Sequence, residues 1–191
     1  MSSSIPTSTT IPSSTAGLTA GTWVIDPAHT VIGFTVRHLM TKVRGTFTKF
    51  EGEVITTDDI LEGRATATIE LSSVDTRNEQ RDNHLRSGDF FDVEKSPKMT
   101  FTSTGVRQNG DAWVVTGDLT IKDVTKPVEL DVELLGVEKN AYGQTVAGFE
   151  ATTSISRKEW GIDFNVPLDG GKLLLGDKVD INLDVQAALQ A

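Results

Sequence analysis

Residues 81–92, RDNHLRSGDFFD, place Arg81, His84 and Arg86 beside Asp82 and Asp89, directly before the pair Phe90-Phe91. A guanidinium donates a planar fork of hydrogen bonds to phosphate or carboxylate, and an imidazole exchanges a proton near neutral pH. Three readings of the stretch follow. It is an active site, a clamp on an oxygen-rich head group at the mouth of an apolar pocket, or a solvated helix whose end is anchored by two phenylalanines. At helical spacing Arg77, Arg81 and His84 share one face, with Glu79 and Asp82 able to neutralise it.

Other candidate chemistry is sparse. The three histidines, His29, His38 and His84, suggest a zinc set, but His29 and His38 have opposite strand parity and point to opposite faces. With no cysteine, a thiol nucleophile, a zinc-thiolate site and a disulfide are all excluded. No GxSxG elbow occurs, and GGK at 170–172 lacks the rest of a phosphate loop. Asp58-Asp59 and Asp26-Pro27 read as turns. A catalytic reading therefore rests on His38 or His84 as acid–base alone. The sequence leads us to expect a binding protein, not an enzyme, with no metal and no cofactor.

The elements that must position these residues are strands. PVELDVEL sets Val128, Leu130, Val132 and Leu134 against Glu129, Asp131 and Glu133; VDINLDV sets Val179, Ile181, Leu183 and Val185 against Asp180, Asn182 and Asp184. The same period of two places Ile32, Phe34, Val36 and His38 on one face, as it does Ala65, Ala67 and Ile69, and Trp113, Val115, Leu119 and Ile121. One apolar and one wet face is the signature of antiparallel strands. Eight main strands are expected near 31–38, 43–55, 64–72, 98–106, 112–121, 127–138, 144–157 and 178–187, with a short leader at 22–25. Asn109-Gly110 predicts a tight hairpin. Between the third and fourth strands, Thr76 and Glu79 are spaced as a capping box and Gly88 stops a helix. Its one strong apolar residue is Leu85, so this helix belongs on the surface or over an opening. The pattern suits an eight-stranded up-and-down barrel, with a two-sheet sandwich as the alternative. Ala65, Ala67, Gly117 and Gly148 in the apolar phase predict room inside.

The chain of 191 residues suits one domain preceded by a tail. Residues 2–20 hold 11 Ser or Thr and no charge, which predicts a disordered segment at 1–20 ahead of a domain at 21–191. That segment has neither the basic start nor the apolar run of a secretion signal, so the cytoplasm is the expected location. A net charge of -9 argues against nucleic acid and against anionic membranes as partners. No stretch has the length and apolarity of a membrane span.

Four ordered blocks, IDPAHTVIGFTVRHLMTKVRGTFTKFEGEV, TRNEQRDNHLRSGDFFDVEKSPKMTF, GDLTIKDVTKPVELDV and GDKVDINLDV, resemble the YceI-like polyisoprenoid-binding family across about residues 21–188. The resemblance implies a lipocalin-like antiparallel barrel with a helix across one side. Its interior would hold a long isoprenoid chain, of quinone or polyprenyl phosphate type, and members often pair as homodimers. By position, His38, Arg81, His84 and Arg86 match polar positions of the family pattern, here assigned to a head group. Phe34, Val36, Phe47, Phe90, Phe91 and Phe101 match its apolar positions. With Ile32, Ile69, Trp113, Val132 and Ile181 from the inward phase, they are the expected lining. Thr30 stands where the family usually has Ser, and Trp160 where it usually has Phe.

Overall fold

The computed structural model describes residues 17–191. Eleven strands follow in chain order: β1 (Gly21–Ile25), β2 (Val31–His38), β3 (Thr41–Phe47), β4 (Phe50–Thr56), β5 (Arg64–Glu70), β6 (Val74–Asp75), β7 (Lys98–Asn109), β8 (Ala112–Ile121), β9 (Val124–Lys139), β10 (Thr145–Ser156) and β11 (Leu175–Leu189). One α-helix, α1 (Glu79–Arg86), lies between β6 and β7. Every pairing is antiparallel, and β1-β4-β5-β7-β8-β9-β10-β11 closes into a ring because β1 pairs with both β4 and β11. The expected eight-stranded barrel with one helix is therefore the fold. The short leader strand is what closes it.

One of the expected long strands, 43–55, is broken. A continuous strand over 43–55 would put Phe47 and Phe50 on opposite faces. At Thr48–Lys49 the chain instead bonds sideways: the Thr48 amide donates to the Ser73 carbonyl, and the Glu70 amide donates to the Lys49 carbonyl. This resets the parity, so both rings reach the core cluster. A 3-10 turn at Pro27–His29, capped by the Asp26 carboxylate, separates β1 from β2 in the same way. Ile25 and Ile32 then both face inward. On β9 the extra residue is Leu135: Phe149 pairs with Leu134 and Gly148 with Gly136, a bulge that leaves Leu135 exposed. Gly148 lies beside Leu135 on the outer face, not in the apolar phase.

The Asn109-Gly110 signal marks a real hairpin, with Asn109 paired to Ala112 and Gly110 at φ 61°. The capping box is corrected: the N-cap is not Thr76 but Asn78, two residues on, whose side chain accepts from the Arg81 amide. Arg77, at φ 63°, lies outside the helix and shares no helical face with Arg81 and His84. Thr76 is buried, donating its amide and hydroxyl to the Asp82 carboxylate at 2.9 and 2.6 Å.

Of the expected tail, residues 1–16 lie outside the described part. Leu18 packs against the cluster of Trp23, Ala147 and Ala187, and the Thr19 carbonyl accepts from Thr56 Oγ1 at 2.7 Å. Together they plug the barrel end away from α1.

Candidate ligand-binding site

The inward side chains read off the barrel axis in the same order on each strand. On β11, Ala187 belongs to the Trp23 plug, Val185 and Leu183 to one chamber, and Ile181 and Val179 to a second. On β8, Trp113 and Val115 face the first chamber, and Leu119 and Ile121 the second. The chamber beside the plug has a volume of about 170 Å³ and the one beside α1 about 130 Å³. Inward residues such as Phe34, Val36, Leu130, Val132 and Ile181 are only half-buried, because they face this internal space and not other side chains.

Of the expected apolar lining, Ile32, Phe34, Val36, Phe47, Phe90, Phe91 and Ile181 face the α1 chamber. Phe101, Trp113 and Val132 face the plug chamber. Ile69 is buried in the core cluster and lines neither. Leu85, the one apolar residue of α1, reaches the α1 chamber, as do Leu119, Trp160 and Leu175. Trp160 is buried in a four-residue 3-10 turn, Arg157–Trp160, which fills the gap left where β9 and β10 stop pairing beyond Asp131 and Thr152.

The polar candidates sit at the α1 end, and none of them lines either chamber. Arg81 donates from Nε to Thr76 Oγ1 at 2.7 Å and from Nη2 to the Thr76 carbonyl at 2.8 Å. Arg86 donates to the Ser72 and Val74 carbonyls and to Asn83 Oδ1. These bonds explain how so polar a helix stays docked: its charged groups satisfy the backbone of the 72–76 connection. His84 lies 2.8 Å from Asp89 Oδ2, its ring edge-on to Phe90 and Phe164 at 5.0 Å each. His38 ends β2 opposite Thr41 and Leu175, half-buried. His29 instead sits on the 3-10 turn with Nδ1 2.7 Å from Asp26 Oδ2. Among the described residues no group of His, Cys, Asp and Glu could hold a metal ion.

Arg157 was not singled out by the sequence, since nothing in SISRKEW sets it apart. Its side chain is 6 % exposed and lies against the α1 chamber. Nε donates to the Gly176 carbonyl at 2.9 Å, and Nη1 to the carbonyls of Ile162 and Phe164 at 2.8 Å each. Burial pushes the guanidinium below its usual pKa, while Asp177, 3.7 Å from Nη2, and Asp163 oppose the shift. This residue staples the 157–164 and 176–177 segments over the chamber.

A concavity of about 770 Å³ lies outside the barrel, where β9 and β10 part. Lys42, Arg44, Glu129, Asp131 and Asp180 line it. That is the wet face of the strands, with both signs of charge interspersed and little apolar surface to bury. The lumen is the site that offers a ligand a dry wall.

A closed antiparallel barrel of this order, with its helix after β6 and an apolar lumen, agrees with the match of residues 23–187 to the YceI-like domain. The chain belongs to the YceI-like family. A UPF0312 protein of Staphylococcus epidermidis is 42% identical over 170 residues, 86% of this chain and 95% of the relative. Among solved YceI structures, the Campylobacter jejuni YCEI protein superposes with a TM-score of 0.68 at 31% identity, covering 81% of this chain and 90% of its own. A polyisoprenoid binding domain from Saccharophagus degradans, implicated in plant cell wall breakdown, shares the fold with a TM-score of 0.63. It is 14% identical and covers 90% of this chain and 99% of its own.

Proposed function

We propose that the protein is a non-catalytic carrier that buries the chain of an isoprenoid lipid in its lumen. The observation that carries this reading is the row of half-buried apolar side chains facing internal space from every long strand. A packed barrel would bury those side chains against one another. Membership of the YceI-like family, and a solved relative of the same fold described as polyisoprenoid binding, support the choice of ligand class. The driving force is burial: each methylene leaving water contributes about 0.8 kcal/mol, offset in part by the cost of ordering a flexible chain. A methyl-branched apolar chain needs few polar contacts to be held this way. Mass spectrometry of an organic extract of the purified protein tests the reading. Prenyl lipid in amounts comparable to the protein supports it. Protein that is free of lipid and takes up neither a polyprenyl phosphate nor an isoprenoid quinone overturns it.

A further inference from the structure

The lumen holds two cavities. The lining residues of the two chambers do not overlap, and the boundary falls at one level: between Leu119 and Val115 on β8, Ile181 and Leu183 on β11, and Met99 and Phe101 on β7. Each chamber, at about 130 and 170 Å³, is near the size of a cavity that holds a benzene-sized molecule, and well short of a pocket for a long chain.

Gly117 stands at that level on β8, paired with Ser103 and Val128. A Cβ on Gly117 would lie 2.4 Å from Phe101 Cζ and 2.5 Å from Cε2. The Phe101 ring thus occupies the space of the missing side chain, leaning across β8 and packing on the core cluster that holds Leu119, Ile69 and Val128. The expectation that Gly117 leaves room inside is corrected: a neighbour's ring takes that space.

We propose that Phe101, seated on Gly117, determines the length of the chain the lumen accepts. With the ring in its seat, a short chain fits within one chamber, and a chain running through both must pass the ring. Shortening residue 101 joins the chambers. A side chain at 117 drives the ring off the wall and into the passage. The two changes therefore act on long chains in opposite directions and leave short chains alone. A general loss of stability would instead weaken all chains together.

This inference rests on the carrier reading, and the test separates the two. Dimethylallyl alcohol, farnesol and solanesol, prenols of increasing length of which only the first matches one chamber, are titrated against wild type, Phe101→Leu and Gly117→Ala, with melting temperature recorded for each. Phe101→Leu should raise the affinity for solanesol roughly tenfold, the gain from burying about two further methylenes. Gly117→Ala should lower it by a similar factor, and dimethylallyl alcohol should change little in either variant. Wild-type protein that binds prenols, with the same length profile in both variants or shifts of the same sign, overturns the proposal alone. Wild-type protein that binds no prenol of any length overturns the carrier reading and this proposal with it. If Gly117→Ala fails to fold, Phe101→Leu decides the matter by the presence or absence of its gain for solanesol.

Discussion

Trp160 Nε1 donates to the Leu119 carbonyl at 3.0 Å, tying the 3-10 turn after β10 to β8 across the gap where β9 and β10 have separated. The indole is 1 % exposed and forms part of the α1 chamber wall. One side chain thus supplies both the seal and the bond that a missing pair of strands would have supplied.

Trp160→Phe keeps an aromatic ring in the gap and removes the donor, so it should cost about 1 kcal/mol in denaturant unfolding. Trp160→Ala opens the wall and should cost about 3–5 kcal/mol. Equal losses would mean that the hydrogen bond, and not the filled gap, holds this seam.

Val132 faces the plug chamber, and Glu133, its neighbour on β9, faces water. Val132→Asp places a carboxylate on a dry wall and should abolish folding or lipid uptake, whereas Glu133→Gln should do neither. Circular dichroism and ligand titration of the two variants check this. Similar behaviour at both positions would contradict the inward phase of β9.

Arg157 satisfies three backbone carbonyls from a buried position. A lysine cannot span the same fork, so Arg157→Lys should lose roughly 3 kcal/mol or more of unfolding free energy. Asp177 Oδ1 lies 3.7 Å from Nη2, beyond hydrogen-bond reach, so Asp177→Asn should cost about 1 kcal/mol or less. The reverse order would show that the ion pair, not the carbonyl fork, anchors the segment.

Arg86 donates to the carbonyls of Ser72 and Val74 and so supports the connection beneath α1. Arg86→Gln should lower the melting temperature and weaken a polyprenyl phosphate and a neutral isoprenoid quinone by the same factor. A paired titration reads this. Loss confined to the phosphate would place the lipid head group at this helix.

The strand alternation of residues 128–134 and 179–185 was legible because each inward side chain is two residues from the next, and a half-buried sheet rewards that period locally. The polar helix was legible from its lack of both a period of two and an apolar stripe, although Ser87, not Gly88, caps its end. Its first residue was not, since Asn78 caps it only because Thr76 is held away by the Asp82 carboxylate. The break at Thr48–Lys49 depends on bonds to residues 70–73, and no local pattern encodes those partners. Arg157 looks like any surface arginine in its own segment, and its burial is decided by the carbonyls of 162, 164 and 176 folding over it. Residue types and their spacing determined antiparallel strands around an apolar interior, and left a barrel and a sandwich both open. Only the tertiary structure decided how that interior is filled, because the space left by Gly117 on β8 is taken by Phe101 from β7, and only the pairing of those two strands brings them together.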